Sequence, residues 1–397
     1  MRVAVAGAGI AGLASSLTLA DAGHEVTLYE RRTGFGETGA GIQLSPNATR
    51  VLFARGLGTA LTRVGCEPER IVTRSLTSGR TIGAVALGPW MRNRFGAPFI
   101  AVARSDLHTA LLDAVRSRPN VRVRIGRGVV ALAETPLGID VTTEASGGRE
   151  TATADLLVGA DGLWSSVRTL IGDARRPSYS GHAAYRATVP SAGLPAAFGR
   201  NETGLWLGPG RHVVHYPITS GRLVNIVVVA RRRDPIAGWS GVEEGNRVLA
   251  ALADASSELR ELASGATAWA AWSLYDLPAR FLSKGRVALV GDAAHPVLPY
   301  LAQGGSLAIE DVAQLAAYLG TEPDTVPEAL GRYRRERYRR VRKVQATARR
   351  NGALYHASAP LAFARDLVMR RLGPAGMSER FAWLYGWRVE GRSADTA

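Results

Sequence analysis

Cysteine is almost missing: Cys66 stands alone in 397 residues. No intrachain disulfide can form, and no thiolate cage can hold a metal. A reducing, cytoplasmic setting is the expectation. Lysine is almost missing too, with Lys284 and Lys343 set against 47 arginines. Phosphate contacts require no such skew, so it reads as codon bias. The net charge is +15, but residues 332–350 alone hold ten basic residues and one acid. The rest of the chain is only mildly basic, which argues against nucleic acid as a partner. Long apolar runs are absent as well. Val3–Ala20 is uncharged, yet Gly7, Gly9 and Gly12 break it, so neither a signal peptide nor a membrane span fits. No repeat of 20–50 residues occurs. The seven histidines include no H-E-x-x-H, and no metal site is expected.

What remains is ordinary globular composition, 46% hydrophobic and 21% charged. Val3-Ala4-Val5-Ala6 reads as a buried parallel strand. Gly7-Ala8-Gly9-Ile10-Ala11-Gly12 follows it, and then Leu13, Leu17 and Ala20 recur at helical spacing. His24–Glu30 reads as a second strand. This is G-x-G-x-x-G inside a βαβ unit, with an acid 18 residues past the third glycine. Gly7 allows the tight turn, Gly9 lets a pyrophosphate approach, and Gly12 lets helix and strand pack. The helix start offers free N–H groups to phosphates. Glu30 can accept from ribose hydroxyls, a role that Arg31 and Arg32 do not turn toward a 2′-phosphate. The fingerprint predicts dinucleotide binding without separating FAD from NAD.

Two later runs narrow the choice. Asp155–Gly162 is an apolar strand ending in Asp161-Gly162, followed by Ser165-Ser166-Val167-Arg168. Gly285–Pro296 is another, ending in Gly291-Asp292. Pro299-Tyr300-Leu301-Ala302-Gln303-Gly304-Gly305-Ser306 then leads into an amphipathic helix. Together these motifs resemble the single-component FAD-dependent aromatic hydroxylases, which have the para-hydroxybenzoate hydroxylase fold. The Pro299–Gly304 run and Trp383-Leu384-Tyr385-Gly386 are similar to the salicylate hydroxylase branch. The resemblance covers nearly the whole chain.

It implies an α/β fold: a Rossmann-like FAD-binding domain, an inserted antiparallel β-sheet substrate domain, and C-terminal helices. The FAD-binding domain would comprise residues 1–71, 101–175 and 276–345. The substrate domain would comprise 72–100 and 176–275, and a C-terminal helical region 346–397. FAD contacts are implied at Gly9, Ala11, Gly12, Glu30, Arg31, Gln43, Arg104, Val129, Asp161, Asp292, Gly304, Gly305 and Ser306. Asp292 would hydrogen-bond the ribityl chain, and Asp161 would sit near the flavin and the nicotinamide donor. The helix after Gly304-Gly305 would face the flavin pyrimidine edge, stabilising negative charge there. Gly39-Ala40-Gly41-Ile42-Gln43 would be a loop beside the flavin ring. Arg104 would contact the flavin, with Ser105 or Asp106 as a plain helix cap.

The substrate domain should contain strands at Ala183–Val189, Gly204–Leu207, His212–Ile218 and Leu223–Arg231. Alternation places His212, Val214 and Tyr216 on one face and His215 on the other. His212 and Tyr216 match residues that relatives use around a substrate phenol, where a histidine can take the phenolic proton. Gln303 would reach the substrate, while His295 would be a turn residue. The helix Arg332–Arg350 should be a solvated face with Tyr333, Val341 and Val344 inward. Residues 359–387 should pack as helices on the body, or else offer an exposed apolar stripe for dimerisation.

The implied activity is hydroxylation of a small electron-rich aromatic. NADH or NADPH would bind transiently as reductant, since there is one fingerprint only. Oxygen would be activated as a hydroperoxide at flavin carbon 4a. An indole or polyketide-type substrate, and a non-enzymatic flavin-binding regulator, are the alternatives. A flavin-dependent halogenase is disfavoured, because Trp269-Ala270-Ala271-Trp272 lacks its motif. Monomer and homodimer are both open.

Overall fold

The computed structural model describes residues 1–35, 41–195, 198, 200–238 and 240–389. Its first layer is a six-stranded sheet in the order Ser283–Lys284, Val287–Leu289, Leu156–Gly159, Arg2–Ala6, Glu25–Glu30 and Val121–Ile125. The five strands from Val287–Leu289 to Val121–Ile125 run parallel. The central three, Val287–Leu289, Leu156–Gly159 and Arg2–Ala6, are short and almost wholly buried, as strands covered on both faces should be. Val3, Val5, Leu156, Leu157 and Val158 are all buried. The helix Ile10–Asp21 lies against this sheet and against the helix Gly304–Tyr318.

Gly12 makes that closeness possible. A Cβ there would sit 1.7 Å from the Gly7 carbonyl oxygen. Gly7 itself has φ +98° and meets the Ala160 backbone, a conformation that favours glycine.

The second large layer is an eight-stranded sheet. Its order is Ser240–Glu243, Trp269–Asp276, Ser178–Pro190, Leu223–Arg231, Arg211–Ile218, Thr203–Gly208, Arg70–Ser75 and Thr81–Ala86. All neighbours are antiparallel except Thr203–Gly208 with Arg70–Ser75. Val-rich Leu223–Arg231 occupies the middle, where β-branched side chains pack well on both faces. The four strands expected in this region are present, each within a few residues of its predicted span. A three-stranded meander, Gly128–Thr135, Gly138–Ala145 and Gly148–Ala154, flanks the parallel sheet.

The chain ends in the helices Val326–Tyr355, Leu361–Glu379 and Ala382–Tyr385. Leu361–Glu379 packs on strand Thr81–Ala86, where Gly83 brings Met369 close. Its outer face leaves Phe363, Leu367 and Val368 exposed. Residues 361–385 thus pack as helices on the body, as expected, with some apolar side chains left exposed.

As expected, most basic residues of Val326–Tyr355 face solvent while Tyr333, Val341 and Val344 turn inward; the unexpected feature is that Arg337 is fully buried with them and Arg340 partly so. Tyr333, Arg337, Val341 and Val344 share one stripe of the helix. Arg337 is held inside by Glu310 at 2.8 Å and Asp311 at 2.7 Å, two acids on the buried face of Gly304–Tyr318. Asp311 also meets His295, and Glu310 meets Arg340. Such a network is stable only when every charge inside it is paired.

Candidate active site

Three neighbouring parallel strands end side by side: Arg2–Ala6, Leu156–Gly159 and Val287–Leu289. Their carboxyl ends deliver Gly7–Gly9, Ala160–Gly162 and Gly291–Asp292 to one edge, the usual place for a ligand in an open α/β sheet. Buried Arg168 ties two of these loops together. It donates to the Ala293 carbonyl at 3.0 Å and to the Leu163 carbonyl at 2.8 Å. Above the edge lies a cavity of about 790 Å³, at the large end for a small-molecule site. Its floor includes Gly9, Ala11, Gly162, Asp292, Gly304 and Gly305. Its roof is the eight-stranded sheet, through Arg186, Leu205, His212, Val214 and Tyr216.

Gly9 and Gly304 open the helices Ile10–Asp21 and Gly304–Tyr318 at this floor. Neither helix has a side-chain cap or an acid in its first turn, so their N–H groups remain for an anionic ligand. A Cβ on Gly9 or Gly304 would meet nothing within 4 Å, which leaves room for a ligand against the backbone. Asp292 presents its carboxyl to the cavity. Desolvation pushes that carboxyl up, while His295 and Arg104 pull it back. These features fit an extended dinucleotide with phosphates at one helix start and a polyol beside Asp292.

The roof behaves as alternation predicts. His212, Val214 and Tyr216 line the cavity, and His215 faces the other way, against Phe198 and Trp206. Burial drives the His212 pKa well down, helped by His356 and His182. Burial also pushes the Tyr216 phenol up, against the pull of Arg186. Gly41 is needed beneath Tyr216, since a Cβ there would lie 2.6 Å from the ring. Its N–H donates to Asn225 Oδ1 at 2.8 Å, tying this segment to the roof.

Of the predicted residues, Gly9, Ala11, Gln43, Arg104, Asp292, Gly304, Gly305, His212, Tyr216 and Gln303 meet in the cavity. The others do not line it. Gly12 serves packing. Glu30 is turned back on the fingerprint, accepting from Ala8 N at 2.8 Å and Arg32 N at 2.9 Å. Arg31 is exposed. Val129 is buried in its strand, its carbonyl accepting from Ser166 Oγ. Ser306 is buried 3.5 Å from Ser45.

Asp161 uses its carboxylate on its own loop, accepting from Ser165 and Ser166 hydroxyls and Val167 N. Only the backbone on either side of it, Ala160 and Gly162, lines the cavity. Gln303 corrects its expected role in the same way. It lines the cavity, but its amide donates to Ser45 Oγ at 2.8 Å and accepts from Asn47 Nδ2 at 3.1 Å, so it braces the turn. Gly41–Leu44 is a strand paired with Ile100–Ala103, not a loop. Gly39 and Ala40 of the same expectation lie outside the described residues. Arg104 opens its helix at the first position, with Ala103 as cap in place of Ser105 or Asp106.

Two residues were missed. Arg186 lines the roof with its Nε buried and unpartnered and its guanidinium over the Trp272 ring. A lone cation inside the apolar strand Ala183–Val189 was the available signal. Arg337 was hidden by its basic neighbours, although its spacing of four from Tyr333 and Val341 marks the buried face.

Comparison with known proteins identifies the family. The FAD binding domain family model matches residues 1–348. The chain is 39% identical to 3-amino-4-hydroxybenzoate 2-monooxygenase PtnB3 of Streptomyces platensis, over 98% of this chain and 96% of that one. It is 35% identical to 3-hydroxybenzoate 6-hydroxylase 1 of Aquipseudomonas alcaligenes, over 97% of each. The structure of Klebsiella pneumoniae HpxO complexed with FAD and uric acid superposes with a TM-score of 0.85 at 25% identity, covering 97% of this chain and 96% of that one.

Proposed function

The chain belongs to the FAD binding domain family and is an FAD-dependent monooxygenase of aromatic rings; from that premise we propose that its substrate is a phenol carrying an acid group. The nicotinamide donor, NADH or NADPH, binds transiently, because the chain has a single dinucleotide fingerprint. The helix starts at Gly9 and Gly304, with Asp292 and Arg104, would hold FAD. When bound, it supplies electron transfer from the nicotinamide and activation of O2.

The protein's own part is placement and proton control. His212 takes the phenolic proton, and Tyr216 orients the oxygen. A phenolate is the more electron-rich ring, so the proton must be held while oxygen is transferred. Arg186 receives the acid group by a charge-assisted hydrogen bond. Leu205, Val214 and Leu207 exclude water around the ring. The two relatives are named for hydroxybenzoates, which carry both groups.

The observation that supports this reading most is the meeting of His212, Tyr216 and Arg186 on one roof above a glycine floor. The test is a screen of hydroxybenzoates for stimulated NAD(P)H consumption, with a product one oxygen heavier. His212→Asn should keep its flavin and lose about 10²–10⁴-fold in kcat. Unchanged turnover and an unchanged pH profile in that variant would reject His212 as the base.

A further inference from the structure

Three histidines stand in a line along the cavity-facing side of the roof, running away from the cavity. His212 Nδ1 lies 2.8 Å from His356 Nε2. His356 Nδ1 lies 3.2 Å from His182 Nε2. His182 Nδ1 lies 3.0 Å from the Ser180 carbonyl oxygen. They come from three separate elements. His212 is on strand Arg211–Ile218 and His182 on Ser178–Pro190. Leu223–Arg231 separates those two strands, so their histidines cannot touch directly: two strand spacings are about 10 Å. His356, the residue that ends helix Val326–Tyr355, bridges them. Its carbonyl accepts from Gly210 N at 3.1 Å, which fixes its place. Burial falls along the line, from His212 at 2% exposure to the half-buried His356 and His182.

The far end sets the direction of every bond. A carbonyl only accepts, so His182 Nδ1 must carry a hydrogen. In a neutral ring its Nε2 is then the acceptor, and His356 Nδ1–H must donate to it. His356 Nε2 is then an acceptor in turn, and His212 Nδ1–H must donate to that. His212 is left with a bare Nε2, and it is the only one of the three that lines the cavity.

We propose that His212, His356 and His182 form an imidazole relay that fixes His212 as a base toward the cavity and carries the proton it takes to the outer edge of the roof. The proposal rests on the reading of His212 as the base for a phenol. When His212 Nε2 takes the phenolic proton, its Nδ1 proton passes to His356 Nε2. The His356 Nδ1 proton passes to His182 Nε2, and half-buried His182, for a moment the imidazolium, gives its Nδ1 proton to solvent while the substrate becomes the phenolate. No bond other than N–H and O–H changes. The same line returns the proton when the product hydroxyl re-forms. His356 and His182 are positioning residues, since neither touches substrate.

The surroundings suit neutral rings at rest. Burial holds the His356 pKa at about 4, with His182 and Arg231 pushing the same way. Burial lowers His182 too, with Arg231 again opposing its charge. The other groups against His212 are the Tyr300 and Tyr355 rings, both with phenols raised to about 12 by burial. The three rings lie along a line and not around a point, and no metal-holding cluster occurs among the described residues.

The test is the tautomer of each ring, read by two-bond ¹H–¹⁵N correlation in flavin-loaded, ¹⁵N-histidine-labelled protein at pH 8. All three rings should carry hydrogen on Nδ1. His356→Phe should let His212 revert to the Nε2–H form that free imidazole prefers. Should that variant fail to load flavin, His182→Leu, at the half-buried end, should release the His356 tautomer instead. An Nε2–H His212 in the wild type, or an unchanged His212 in His356→Phe, overturns the relay. A second readout separates this inference from its premise. On mixing with 3-amino-4-hydroxybenzoate beside an indicator dye, proton release should slow by at least about tenfold in His356→Phe. If His212→Asn stops phenolate formation while His356→Phe releases protons at the wild-type rate, the relay fails and the base stands. If His212→Asn still forms phenolate, both fail.

Discussion

Floor and roof of the cavity offer different kinds of surface. The floor offers main chain: two helix starts and the glycines that leave them open. The roof offers side chains from two strands: His212 and Tyr216 from one, Arg186 from the other. A backbone site needs only a local pattern, because strand, turn and helix follow one another in sequence. A side-chain site needs strands distant in sequence to arrive in the right order and register. The floor is therefore rigid and general, and the roof is where specificity resides.

The sharpest way to break this contrast is at the fingerprint. Gly12→Ala puts a Cβ 1.7 Å from the Gly7 oxygen. It should destabilise the protein by roughly 3 kcal/mol or more and abolish flavin retention. Gly9→Ala, whose Cβ meets nothing, should fold normally and lose flavin only. Urea melts beside flavin content decide it. Equal stability of the two variants would mean that the helix–strand contact at Gly12 is not the limiting one.

The next largest effect reaches the floor without touching it. Arg337→Met leaves Glu310 and Asp311 short of a partner, and should cost about 3–5 kcal/mol. Desolvation would raise Asp311, but His295 and Arg337 hold it below the usual carboxylate range. Glu310 also accepts from Asn47 Nδ2, which donates as well to Gln303 Oε1 at the helix start. Flavin content should fall with stability. A variant that melts earlier yet keeps its flavin would separate network from floor.

On the roof, Arg186→Met should raise the KM for a hydroxybenzoate by about 10–100-fold, the loss of one charged hydrogen bond of ~1.5–3 kcal/mol. A phenol lacking the carboxylate should bind the variant and the wild type alike. Equal loss for both ligands would assign Arg186 to the flavin or to Trp272 in place of the substrate.

The same division explains what could be read before the fold was known. Gly7, Gly9 and Gly12 announce their roles because turn, close approach and packing are all local. His212 and Tyr216 were legible because alternation fixes their shared face. Asp161 and Gln303 were not, since a carboxylate or amide in a loop can turn to its own backbone as readily as to a ligand. Asp161 accepts from Val167 N on its own loop and Gln303 braces Ser45. Arg337 was lost among nine other basic residues, because only tertiary packing says which of them faces two buried acids. His356 had no signal at all: it reaches His212 from 144 residues away.

The smallest predicted effect distinguishes the two faces of the roof strand. His215 is buried away from the cavity, and burial with nearby Arg74 holds its pKa at about 3. An unfolded histidine titrates near 6.5. Its neutral burial therefore favours the fold fully above pH 6.5, and that advantage is lost as pH falls from 6.5 toward 3. At pH 5.5 the loss from this one group is about 1.4 kcal/mol. His215→Leu removes the titration, so its stability should fall less than that of the wild type between pH 7 and pH 5.5, by about that amount in urea melts. Cavity-facing His212 and half-buried His356 are lowered in the same direction, so the variant keeps a residual slope. An unaltered slope in His215→Leu would mean that its ring is already protonated or solvated in the fold, and that the strand's hidden face is not the dry packing surface that its contacts with Phe198 and Trp206 describe.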